Sequence, residues 1–397
     1  MEQHGNHFDR EESGFSLIEL IIYMALLGIL MTMVFSSFIP VMRTGSRQWR
    51  IGETKIETGV GLELLRSDLE HAGFGLPWEF MGGVTPIPYF EPADAAPPGA
   101  PAALADVPKV PRAVISEDTS AFSMNAADYL TIKALNVTTS DTTQKWGLLW
   151  RLGNATHDAT VQSLSDKTFV ATEHVIVIRP RVALGEDRQL VMSGTDYFAH
   201  PTTADLAPFA PPMQAYDPNG DRYLVYGLVN VKDPRRPFNR TDYYINAPTA
   251  LNPLPAQCAP GTGTLEKAVL NHEDDDFLLL PIVDCVADFQ VVYYLDTDGD
   301  GGWDTRVNAS GLNGLTAQQI REQVKSIRCY VLTHEGGVDP TYTHPTAIIN
   351  VGEVDTDGVT LIAGRAFDVS TLTGIGTTWA NYRWKVYSLA VTPRNLQ

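Results

Sequence analysis

Between Phe15 and Val41 the only charged residue is Glu19. A carboxylate at bilayer depth costs roughly 2.5–3.5 kcal/mol on insertion scales, so its presence in such a run calls for a cationic partner. A second concentration of carboxylates is Asp296-Thr297-Asp298-Gly299-Asp300-Gly301-Gly302-Trp303-Asp304, with Asp at loop positions one, three, five and nine and Gly at six. This is the opening of the oxygen-ligand pattern that surrounds Ca2+ in an EF-hand. Val307 stands at position twelve, where a Glu would close that pattern. A Ca2+ site here would therefore be a shortened loop of Asp296, Asp298, Asp300, Gly302 and Asp304, completed by another carboxylate, a carbonyl or water. Its role would be structural or regulatory. The same residues also suit an exposed acidic β-turn, because Asp and Gly are favoured in turns. The run His272-Glu273-Asp274-Asp275-Asp276 and the pair Asp355 and Asp357 read as solvated loops.

Cys258, Cys285 and Cys329 form no CxxC and no Cys/His pair at zinc spacing. One disulfide and one free thiol is the simplest arrangement. Cys258 lies in a Pro/Gly-rich loop and Cys285 just ahead of a strand, which makes Cys258–Cys285 the preferred pairing. Cys329, in the apolar strand Ile327 to Leu332, reads as a buried thiol, although its spacing also allows pairing with Cys285. No HExxH, GxSxG, Walker loop or GxGxxG after a strand occurs, so no catalytic residue or catalytic cofactor is assigned and the chain reads as a non-enzyme. The formal charge of -18, with 47 acidic against 29 basic residues, argues against a nucleic-acid partner.

The elements that carry these residues follow from pattern. The 397 residues, 44% hydrophobic and 19% charged, suffice for one large domain or two ordinary ones. Residues 15–41 form an apolar run of about 27 residues, enough to cross the hydrocarbon layer and far longer than the core of a cleaved secretory signal. The helix is expected to continue through residues 42–75, since Ile51, Lys55, Val60, Leu64, Leu65 and Leu69 recur near helical spacing and Gly73 and Gly75 supply a stop. Unbroken from Phe15 to Ala72, it would span roughly 85 Å. Pro40, Gly45, Gly52, Gly59 and Gly61 make bending or melting plausible. Residues 76–397 read as a β-rich head, with an Ala/Pro-rich surface loop at 91–113. Its strands are expected at Tyr129 to Leu135, His174 to Arg179, Arg222 to Val231, Phe289 to Leu295, Ser326 to Leu332 and Trp384 to Val391. Thr316 to Lys325 is the best later helix, with Thr316 as N-cap. The fold class expected is α+β: a long N-terminal helix packed on a large antiparallel sheet.

Gly14-Phe15-Ser16-Leu17-Ile18-Glu19-Leu20 resembles the processing site of type IV prepilins. The resemblance implies a leader of residues 1–14 removed between Gly14 and Phe15 by a prepilin peptidase, with methylation of the new amino group. It also implies a role for Glu19 in assembly. A freed ammonium on Phe15 and the Glu19 carboxylate are both poorly solvated in lipid, so pairing between neighbouring subunits would neutralise each and set axial register. The leader departs from the family's basic pattern, carrying Glu2, Asp9, Glu11 and Glu12 against Arg10, while Arg43, Arg47, Arg50 and Lys55 follow the span. The positive-inside rule alone would point the N-terminus outward, yet large exported domains translocate largely regardless of charge.

Leu65-Arg66-Ser67-Asp68-Leu69-Glu70-His71-Ala72-Gly73-Phe74-Gly75 resembles the end of the long helix in PilW-type minor pilins and, less closely, in GspJ-type minor pseudopilins. Residues Tyr382 to Leu396 look like the closing strand of the same proteins. The implied subunit is anchored in the inner membrane with a periplasmic head. From there it passes to the pilus and cell surface, contacting other minor and major pilins through its N-terminal helix. A pseudopilin of type II secretion and a tip adhesin are the alternative readings.

Overall fold

The computed structural model describes residues 16–80, 89–91, 104–106, 110–138, 140–151, 158–180, 188–212 and 222–396. Two compact units emerge, Met1–Gly52 and Glu53–Gln397. The long helix, α1 (Leu17–Glu70), runs its whole length of 54 residues as α-helix, including the segment expected to bend or melt. Pro40 removes a single amide donor and each Gly costs about 1 kcal/mol, against a full ladder of helical bonds elsewhere.

Gly61 has a packing role. A Cβ there would lie 2.0 Å from the Ile282 carbonyl oxygen, so the helix approaches a strand more closely than any side chain allows. Leu65, Leu69 and Ala72 are fully buried, and Asp68 accepts from Tyr243 Oη at 2.6 Å and pairs with Lys267 Nζ at 2.5 Å. Gly73 and Gly75, at φ of 82° and 69°, turn the chain out of the helix as their positions suggested. Lys55, one of the basic residues that follow the span, pairs with Glu335 at 3.4 Å; the side chains of Arg43, Arg47 and Arg50 fall outside the described residues.

The strands, in chain order, are β1 (Glu79–Phe80), β2 (Val114–Glu117), β3 (Tyr129–Ala134), β4 (Trp146–Arg151), β5 (Ala159–Ser163), β6 (Val175–Arg179), β7 (Gln189–Leu190) and β8 (Tyr223–Gly227). They continue as β9 (Asn239–Asn246), β10 (Gly263–Leu270), β11 (Phe277–Leu295), β12 (Thr305–Asn308), β13 (Val324–Glu335), β14 (Ile348–Val354), β15 (Leu361–Asp368) and β16 (Arg383–Val391). A large antiparallel sheet is present as expected, in the order β16-β13-β11-β10-β9-β3-β2 with β12 beside β11. Two further sheets accompany it, the six-stranded β1-β7-β6-β8-β4-β5 and the hairpin β14-β15, and β1 runs parallel to β7. Among the described residues two short α-helices follow, α2 (Thr203–Leu206) and α3 (Ala317–Gln323); α3 carries the expected Thr316 cap, completed as a capping box by Gln319.

β11 is far longer than the expected Phe289 to Leu295. Pro281 is tolerated because residues before Val286 pair only with β10, leaving the other edge without a ladder to break. β9 was unreadable in the sequence, since Arg240 and Asp242 look solvent-facing yet are wholly buried. Their burial belongs to an ion network. Glu91 Oε1 meets Lys133 Nζ at 2.6 Å and Arg240 Nη1 at 2.9 Å, Asp106 Oδ2 meets Lys133 Nζ at 2.5 Å, and Arg240 Nη2 meets Asp242 at 2.7 Å. Burial works against the Asp106 charge, but Lys133 and Arg112 outweigh it and hold the carboxyl below its ordinary range. The described residues of 91–113 depart from the surface-loop reading. Glu91, Leu104, Asp106, Arg112 and Ala113 are all buried, because a charge in the core must be matched by partners drawn in with it. Residues 92–103 and 107–109 lie outside the described residues.

Two outcomes test these packing arguments. Gly61→Ala is expected to lower stability by about 1–3 kcal/mol in denaturant melts, whereas Gly59→Ala, with open space around its Cβ, leaves it unchanged or slightly improved. Asp128 is fully buried and receives Val291 N at 2.8 Å; desolvation, with Asp118 and Asp288 adding, raises its carboxyl to about 8 from 3.8. The folded state thus keeps a proton that the unfolded chain releases, and this group costs stability progressively as pH rises through that window. Asp128→Asn should gain on the wild type by up to about 1.4 kcal/mol per pH unit between pH 4 and 8, and a gap independent of pH would contradict the argument.

Candidate functional site

Gly14 and Phe15, the residues that would flank a cleavage, lie outside the described residues. The described chain opens at Ser16. Glu19 sits in the first turn of α1 and is exposed. Its amide donates to Ser16 Oγ at 3.3 Å, and Glu19 Oε2 accepts from the Ser16 amide at 3.4 Å. The two form a reciprocal cap on the helix start. Ser16 went unassigned in the sequence, although Ser-x-x-Glu ahead of an apolar run was the available signal. The carboxylate therefore stabilises its own helix N-terminus and still presents its other oxygen outward. From Leu17 to Phe38 the helix is apolar on every side, 22 residues with a mean hydropathy of 2.4, none of them buried in the structure, which is long enough to cross a membrane.

The acidic loop joins β11 to β12. Carboxylate oxygens of Asp296, Asp298 and Asp304 lie within 4.8 Å of one another. That spacing fits ligands to one Ca2+, whose oxygens sit about 2.3–2.6 Å from the ion. Asp296 is buried and receives Gly299 N at 2.7 Å and Gly301 N at 2.9 Å, with Lys325 Nζ 3.2 Å away. Gly299 and Gly301, at φ of 78° and 94°, permit this tight wrapping. Hydrogen bonds from Thr305 and from Thr297 hold Asp304 down to about 2, so it is ionised under all ordinary conditions. Asp300 is not part of the converging set; its carboxylate accepts Gly302 N at 2.7 Å. Val307, at the twelfth position, is committed to β12 opposite Tyr293 and contributes no ligand.

Cys258 and Cys285 are joined, S–S 1.97 Å, and Cys329 is a buried free thiol in β13. Cys285 lies within β11 at a φ of 59°, at an irregularity of the ladder, and not before the strand. Of the other acidic segments, Asp355 and Asp357 do form the exposed turn between β14 and β15. The 272–276 segment is not simply solvated. His272 is buried between Arg235 N at 3.2 Å and Asn239 Oδ1 at 3.1 Å, and Asp275 is buried against Arg235 and Arg236. Arg236 is fully buried, so its charge draws Asp275 inward.

No curated protein and no solved structure matches this chain. The family described as the prokaryotic N-terminal methylation motif matches residues 9–35, a segment that contains Gly14, Phe15, Ser16 and Glu19. That motif, on a helix able to span a membrane and followed by a large β-sheet head, supports a type IV pilin or pseudopilin, a structural protein processed by prepilin peptidase and assembled with other pilins.

Proposed function

We propose that this chain is a minor type IV pilin of PilW type that helps to initiate pilus assembly and sits at or near the filament tip. The observation that carries the reading is Glu19, a lone carboxylate in the first turn of a 22-residue apolar helix inside the matched motif. In lipid, Glu19 requires a cation, and the amino group that cleavage after Gly14 would free on Phe15 of a neighbouring subunit supplies one. The Cys258–Cys285 bridge supports a head outside the cytoplasm, where disulfides persist. The bulk of the unit Glu53–Gln397 favours a subunit present in few copies over one packed at every filament position. A GspJ-type minor pseudopilin has the same membrane chemistry; loss of piliation and twitching on deletion supports the pilus, and loss of exoprotein secretion supports the pseudopilus.

Mass spectrometry of the mature chain should find an N-methylated Phe15 at its start, and Glu19→Ala should reduce incorporation into filaments by at least about tenfold. A mature chain that still begins at Met1, or a Glu19→Ala variant incorporated like the wild type, would refute the reading.

For the acidic loop we propose structural Ca2+ held by Asp296, Asp298 and Asp304, with the Gly302 carbonyl and water completing the shell. Binding would neutralise the converging carboxylates, of which Asp296 pairs with Lys325. Calcium at about 100 times its dissociation constant should stabilise the full chain by about 2.7 kcal/mol and raise its melting temperature. Asp298→Ala should abolish that rise; if calcium leaves the wild-type melt unchanged, the loop is an acidic turn.

A further inference from the structure

Beyond the acidic loop, four buried polar atoms without partners gather in one place. Tyr294 Oη, Arg306 Nε, Arg328 Nε and Glu353 Oε2 are shut from solvent and have no hydrogen-bond partner among the described residues. More than about 90% of buried polar groups in proteins are partnered, so four orphans in one contiguous cluster call for an explanation. Their contiguity is set by the strands. Arg306 is the cross-strand partner of Tyr294 on β12, and Arg328 lies across from Val292 on β13. The guanidinium of Arg328 lies 4.4 Å from the Tyr294 ring centre and that of Arg306 5.7 Å from it, while Arg328 Nη1 reaches Glu353 Oε1 at 3.2 Å. Trp303, from the acidic loop, lies over this group: its ring is 4.9 Å from that of Tyr294 and 4.8 Å from the Arg306 guanidinium, yet it remains 48% exposed.

We propose that Trp303 is a movable cover on a binding site for a neutral saccharide. When the indole lifts, ring hydroxyls would accept from the Nε–H groups of Arg306 and Arg328 and donate to Glu353 Oε2. Tyr294 Oη can serve in either direction, and the indole face offers an apolar plate for the sugar's C–H surface. The mixture of donors and acceptors selects a polyhydroxylated ligand. Charge excludes the simpler alternatives. An anion would meet Glu353, and a cation would meet two guanidinium groups. Tyr294 already has strand neighbours on both sides, Arg306 and Ser326, so an added peptide strand cannot pair with β11 here.

The inference does not rest on the pilus reading; Glu19 variants test that one and Trp303 variants test this one. The full-length chain, in a zwitterionic detergent that contains no sugar, would be applied to an array of neutral hexose and N-acetylhexosamine oligosaccharides printed beside sialylated ones. The wild type should retain at least one neutral glycan, and Trp303→Ala should weaken that binding about tenfold. Arg328→Lys, which keeps the charge and loses the Nε donor, should weaken it as well. Leu251→Ala, at a 98% exposed position elsewhere, should bind like the wild type. Retention of no neutral glycan, retention of sialylated glycans alone, or a Trp303→Ala variant with a normal near-UV spectrum and wild-type binding would each overturn the proposal.

Discussion

The first part of α1 is apolar around its full circumference and leaves all of that surface uncovered. Water does not favour such a cylinder, which suits lipid or neighbouring helices, and a charge placed in that setting is costly unless it is paired. Glu19 is that charge. Its local bond to Ser16 satisfies the helix start, but a carboxylate has two oxygens and a full negative charge that one backbone amide does not neutralise.

The second part of α1 obeys a different constraint. From Thr58 onward one side of the helix is buried, with Gly61 against β11 and Leu65, Leu69 and Ala72 in the core. Asp68, Tyr243 and Lys267 close a polar contact across this seam, while Arg394 meets Glu70 at 2.7 Å and so ties the segment after β16 to the helix end. The head then holds charges that a small domain could not. Lys133 and Arg240 are wholly buried; Glu91 meets both and Asp106 meets Lys133, which fixes these two residues of the Ala/Pro-rich stretch to the sheet.

What could be read without coordinates shared one property: the signal lay in adjacent residues. The apolar run, the lone Glu19, the Gly73 and Gly75 stop, the Thr316 cap and the acidic loop each occupy a short window, and local sterics, hydrogen bonding or hydropathy decide them. Six strands were legible for the same reason, because their β-branched and aromatic residues stand together.

The rest depended on contacts between residues distant in sequence. Polar residues of β9 and of the 91–113 segment are buried because opposite charges meet them, and partners such as Glu91 for Arg240 and Lys133 for Asp106 lie in distant windows of sequence. The Pro in β11 is harmless only because one edge there carries no ladder. Cys258 meets Cys285 across 27 residues of sequence, and Trp303 packs on Tyr294 and Arg306, which β11 and β12 set side by side. Sequence alone determined where a run long and apolar enough to cross a membrane lies and which single carboxylate it carries, because hydropathy is local; tertiary structure decided which charges lie inside the head, because their partners come from distant strands.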